Sequence, residues 1–90
     1  MFSSWGAETT RAFGADELRG MLDQLSDEQR FGMVLRAKGI VRSTDGSWLH
    51  FDYTPGEPDV RTGSSELTGR LCVIGSELNT AAVAALFGVV

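Results

Sequence analysis

The stretch VLRAKGIVRSTDGSWLHFDY, residues 34–53, reads as two β-strands around a turn at Asp45 and Gly46, and its register decides the fold. With a three-residue turn, type I followed by a left-handed glycine, Ser43 lies opposite Ser47 and every position outward acquires a partner and a face. One face then carries Leu35, Ala37, Gly39 and Val41 with Leu49, Phe51 and Tyr53, an apolar layer suited to a core. The other carries Arg36, Lys38, Ile40 and Arg42 with Trp48, His50, Asp52 and Thr54. A two-residue Asp-Gly turn would set Arg36, Lys38 and Arg42 beside Leu49, Phe51 and Tyr53, a mixture that no sheet face keeps. The three-residue turn is therefore expected. It places Gly39 opposite Phe51, where the absent side chain makes room for the ring or for the first helix. It also lets Lys38 meet Asp52, and Arg42 lie over Trp48 as a cation–π pair.

Before this hairpin, SSWGAETTRAF (3–13) alternates, with Trp5, Ala7, Thr9 and Phe13 on one parity, and reads as a first strand. After Gly14 the pattern becomes Leu18, Met21, Leu22 and Leu25, the spacing of one helical face, with Asp16 and Glu17 in the first turn where the helix dipole favours acids. A helix over 15–25 is expected, and SDEQRFG (26–32) ends it and leads into a strand near Met33. Beyond the hairpin, TPGEPDVRTGSSELTG (54–69) holds Pro55, Pro58 and three glycines. It is too long for a plain hairpin loop, so a short strand around DVRT or a functional loop is expected. GRLCVIG (69–75) is an apolar strand, and SELNTAAVAALFGVV (76–90) a closing helix capped by Asn79. Leu78 and Val83 form a hydrophobic staple, and Val83, Leu86, Phe87 and Val90 the buried stripe. The expected fold is α+β: one domain over 1–90, a mostly antiparallel sheet of about four strands with two helices packed on one face, in the order strand, helix, strands, helix.

Composition narrows the function. Ninety residues with a net charge of −4 lack the basic surface that nucleic-acid binding requires. The N-terminus shows no secretory pattern and no apolar run reaches membrane-spanning length, so a cytoplasmic setting without a membrane partner is expected. A strand starting so close to Met1 makes a domain of a longer chain the simpler reading. The only Lys-Gly pair, Lys38-Gly39, runs in the wrong order for a phosphate-binding loop. One histidine, His50, and one cysteine, Cys72, fall short of a zinc site. No nucleophile motif accompanies His50, and the acid pairs sit in polar loops or helix starts. The loop acids Glu57 and Asp59 lack an EF-hand pattern. No catalytic, cofactor-binding or metal-binding residues are expected. What remains is the outward face, Arg36, Lys38, Ile40, Arg42, Trp48 and His50, which reads as a docking surface because Trp and Arg are enriched at interface hot spots. A solvated face with one protective tryptophan is the plain alternative.

Leu35, Arg36, Lys38 and Gly39, followed by the strand Trp48 to Tyr53, then Val73, Ile74 and Gly75 and a last helix, together resemble the C-terminal domain of CobW-type GTPases. FGADELRGMLDQL (13–25) looks like that family's first helix, so the resemblance covers essentially the whole chain. It implies a parent with a P-loop GTPase domain using GTP and Mg, and with a cysteine-rich motif binding Zn or Co. The parent would act as a metallochaperone or in cobalamin biosynthesis. The ninety residues would then be a non-catalytic accessory domain, whose partners are the GTPase domain of the same protein and a client metalloprotein. A free-standing module that binds a small regulatory ligand is the other expectation weighed.

Overall fold

The computed structural model describes residues 1–89. β3 (Met33–Ser43) and β4 (Trp48–Thr54) form the hairpin in the expected register, with Gly39 opposite Phe51, Val41 opposite Leu49 and Ala37 opposite Tyr53. The Ser43 amide donates to the Ser47 carbonyl at 2.9 Å, and Gly46 takes the left-handed conformation at φ 90°. Asp45 clamps the turn by accepting from the Ser47 amide (2.9 Å) and hydroxyl (2.6 Å). The Ser47 hydroxyl bond, then the amide bond, hold its carboxyl below the usual carboxylate range.

β1 (Phe2–Thr9), β5 (Glu57–Thr62) and β6 (Gly69–Ser76) complete an antiparallel array in the order β1-β6-β3-β4-β5. β2 (Ala12–Phe13) pairs parallel with β3 at Arg42 and Ser43. It occupies the stretch of β3 left free because β6 begins only opposite Ile40. Six strands and three helices are thus present among the described residues, against the expected four and two. The first strand divides in two: β1 pairs with β6, the chain turns at Arg11, and β2 reaches β3.

One expected core position moves. Val34 pairs with Gly75 and Arg36 with Ile74, so Leu35 is an extra residue in a β-bulge and the inward parity of β3 changes there. Val34 is buried at 4% exposure and Leu35 is only half-buried.

The helices α1 (Ala15–Gln24), α2 (Glu28–Phe31) and α3 (Thr80–Phe87) contribute Leu18 and Leu22, Phe31, and Val83 and Phe87 to one apolar cluster with the inward strand residues. The Phe87 ring stacks on Trp5 (centroids 6.1 Å apart) and on Phe51 (6.4 Å), joining α3 to strands at both sides of the sheet. Asn79 caps α3 by accepting from the Ala82 amide at 3.1 Å, as its sequence predicts. Leu78 is partly buried against the cluster, and Val90, assigned from sequence to the buried stripe, lies outside the described residues. Arg11 lies over the Phe13 ring at 4.4 Å and donates to the Phe87 carbonyl and to Glu17, tying the β1–β2 bend to both long helices. No helix among the described residues is long and apolar enough to cross a membrane.

Candidate docking face

The side chains of the main apolar cluster lie on the helical side of the sheet, and no helix covers the opposite face among the described residues. The strand register arranges this face in rows. Gly6, Cys72, Lys38, Asp52 and Asp59 form one row from β1 to β5, and Glu8, Arg70, Ile40, His50 and Arg61 form the next. Arg36 lies beyond the first row beside Ile74, and Arg42 and Trp48 lie beyond the second. The six residues singled out in the sequence therefore share one face, and five of the eight basic side chains of this acidic chain point out of it.

They are not equally available. Arg36, Lys38 and Arg42 are exposed, and Ile40 and His50 are half-buried. Trp48 retains 8% exposure, with the Arg42 guanidinium 5.0 Å above its ring and its carbonyl accepting from the Gly63 amide. The indole is a packed side chain with little surface left for a partner. The His50 Nε2–H donates to the Ser64 carbonyl at 2.8 Å, and Gly63 lies so close to the imidazole that a Cβ there would overlap it. The segment after β5 thus lies against the β4 end of the face, and Thr68 donates to the Thr9 carbonyl (3.4 Å) as the segment enters β6.

Lys38 stands opposite Asp52 in register, yet the ion pairs form elsewhere. Asp52 accepts from Arg36 at 3.3 Å and from Arg61 at 3.0 Å, and Arg61 also binds Asp59 at 2.6 Å. Burial acts to raise the Asp52 carboxyl, but the hydrogen bonds and charges of Arg61 and Arg36 outweigh it and hold the group below its usual range. Arg70 pairs with Glu66 at 3.0 Å. Lys38, the only lysine of the chain, takes no part in any ion pair or side-chain hydrogen bond among the described residues.

Between these side chains runs an open cleft of about 760 Å³, floored by Gly6, Gly39, Ile40 and Cys72 and bordered by Lys38 and Arg61. The contributions of β1, β5 and β6 were missed in the sequence because parity within a hairpin does not reveal which strand lies next to it. The alternation of Leu71 and Val73 with Arg70, Cys72 and Ile74 was the available signal. The chain's donors do not converge on a metal. Cys72 on β6 and His50 on β4 are separated by the whole of β3, about 10 Å across two strand spacings. No group of three His, Cys, Asp or Glu side chains fit to hold a metal ion occurs among the described residues.

The family described as the cobalamin synthesis protein CobW C-terminal domain matches residues 2–90. The chain belongs to that family. Among solved structures, this CobW C-terminal domain is similar to the Zn(II)-bound YjiA GTPase from E. coli, with 22% identity and a TM-score of 0.74. It is similar also to a Zn(II)-bound triple mutant of YjiA GTPase, with 21% identity and a TM-score of 0.76. Each match covers 97% of the domain and 29% of the other chain, and at these identities the likeness is one of fold. No curated protein matches the chain.

Proposed function

We propose that this CobW C-terminal domain is the non-catalytic accessory part of a CobW-type GTPase engaged in metal-cofactor delivery or cobalamin biosynthesis. In this reading it docks through its open sheet face on the GTPase domain of the same protein or on a client metalloprotein. The observation that carries the reading is the asymmetry of the sheet. One face is sealed by three helices. The other presents a cleft bordered by Lys38, Arg61 and Arg70, with Arg36 and Arg42 exposed beyond it and Ile74, Met33 and Phe2 exposed toward one end. Arginine and methionine side chains beside a partly apolar surface are enriched at protein interfaces. The catalytic work would belong to a GTPase domain, since these ninety residues hold no phosphate-binding loop.

The test begins with the coding sequence upstream, where an in-frame GTPase domain with a Gly-Lys-Ser or Gly-Lys-Thr loop is expected. Added in trans, that domain should bind this chain, and Arg36→Glu should weaken the complex about tenfold by reversing a charge on the docking face. A start codon preceded by a stop at Met1, or equal affinity for both forms, counts against the reading. The cleft favours one second reading, a free-standing module that binds a small regulatory ligand, because its volume of about 760 Å³ falls in the range of small-molecule sites. A thermal-shift screen with amino acids, nucleotides and divalent metals separates the two. A site-specific ligand raises the melting temperature with the logarithm of its concentration.

A further inference from the structure

Of the basic side chains on the open face, Arg36 and Arg61 are held by Asp52, Arg70 by Glu66, and Arg42 lies on Trp48. Lys38 alone has no partner among the described residues, and it stands on the central strand, at the middle of the cleft. An ammonium group so placed is an unfilled electrostatic contact. The cleft reaches from Gly6 on β1 to Arg61 on β5, crossing five strands, or about 19 Å. At about 3.3 Å per residue this is the span of five to six residues of extended polypeptide. Its floor of Gly6, Ile40 and Cys72 is small and apolar, suited to alanine-sized or aliphatic side chains on either side of a charge.

We infer that this cleft takes an extended polypeptide segment with a single acidic side chain at its centre, whose carboxylate pairs with Lys38. The inference rests on the docking reading above and names the chemistry of the partner. A phosphate-rich ligand fits less well, because it needs several free cations and the two guanidiniums lining the cleft, Arg61 and Arg70, are already paired with acids. A uniformly acidic tail fits less well too, since Glu8, at the β1 end, forms no ion pair among the described residues and would repel it.

The probe is the pentapeptide acetyl-Ala-Ala-Glu-Ala-Ala-amide, with its Gln counterpart as control, titrated into the chain carrying a ¹³C-labelled Ile40 methyl group. The Glu peptide should shift the Ile40 signal saturably and bind about fivefold more tightly than the Gln peptide, the upper end for one exposed ion pair. In Lys38→Met, which keeps the length of the side chain, that preference should vanish. Equal binding of the two peptides by the unaltered chain, a Glu preference that survives Lys38→Met, or no saturable shift with either peptide would overturn the inference. So would displacement of the peptide by inorganic phosphate at equal concentration, which would mark a simple anion site. The two readings fail separately. If the GTPase domain binds the chain and is sensitive to Arg36→Glu but not to Lys38→Glu, docking stands and the acidic segment does not. If it does not bind the unaltered chain, or binds it and both variants equally, the docking reading itself is lost.

Discussion

Replacing Gly39 by alanine sets two effects of opposite sign against each other. Alanine reduces the entropy of the unfolded chain and, where the native backbone accepts it, stabilises by about 0.4–1 kcal/mol. At Gly39 the added Cβ would stand 2.6 Å from Phe51 Cε2 and closer still to the Arg70 carbonyl oxygen. The ring could turn away, but the Arg70 residue is paired with Ile40 in the β3–β6 ladder, so its carbonyl can move only if two strands part. Overpacking of this kind costs about 1–3 kcal/mol, and against backbone that cannot yield the clash should win. Gly39→Ala is therefore expected to lose about 1–2 kcal/mol net. For a domain of this size that corresponds to a melting temperature lower by about 4–16 °C. Urea denaturation followed by far-UV circular dichroism measures it directly, with an unchanged m-value showing that the unfolded state is not the source. A variant as stable as the parent, or more stable, would refute the reasoning, because it would mean that β3 and β6 do not approach as closely as the register requires.

Three further perturbations test other parts of the molecule. Tyr53 is buried with a hydroxyl that has no hydrogen-bond partner among the described residues, so Tyr53→Phe should stabilise by about 1 kcal/mol in chemical denaturation. A loss of similar size would reveal a partner for the hydroxyl in solution. Asp52 has a lowered carboxyl pKa in the folded state, so its ion pairs contribute fully above about pH 4, the unfolded value, and are lost as pH falls through the lower folded one. The stability difference between the parent and Asp52→Asn should accordingly be largest near pH 7, remain below about 1 kcal/mol because the site is partly exposed, and shrink toward pH 2; a difference that grows with acidity contradicts the pairing. Trp48→Ala should cost about 2–3 kcal/mol of stability, since the indole is packed beneath Arg42; a loss below about 0.5 kcal/mol would show the ring to be free.

The hairpin was legible because its two faces differ so sharply in polarity that only one turn length keeps them apart. Phe51, Val41 and Leu49 fell where parity put them, and so did Arg42 over Trp48. Leu35 was misplaced because a bulge adds a residue without changing composition, and Val34 and Leu35 are equally apolar. α2 was hidden in SDEQRFG because four residues are too few to show a helical period, although Asp27 caps it by accepting from the Gln29 amide. The short parallel pairing of β2 with β3, and the insertion of β6 between β1 and β3, are long-range choices made by packing, and no local pattern encodes them. The candidate face was half legible for the same reason. Its hairpin side chains followed from parity, whereas the cleft needed the strand order. The unpaired state of Lys38 was not readable either, because it depends on Arg61 arriving from β5 to share Asp52 with Arg36.

The most direct measurement uses the two isoleucines of the chain, Ile40 and Ile74, both on the uncovered face of the sheet. With their δ1-methyl groups ¹³C-labelled and all other sites silent, the spectrum has two signals, and the GTPase domain of a CobW-type parent is titrated in. Alanine methyl labels at Ala81 and Ala85, exposed on α3, serve as the control for the helical side. Shifts or broadening of Ile40 and Ile74 with quiet alanines are expected if the open sheet face docks. Perturbed Ala81 and Ala85 with both isoleucines unchanged would place the interface on the helices and contradict the docking role of the sheet.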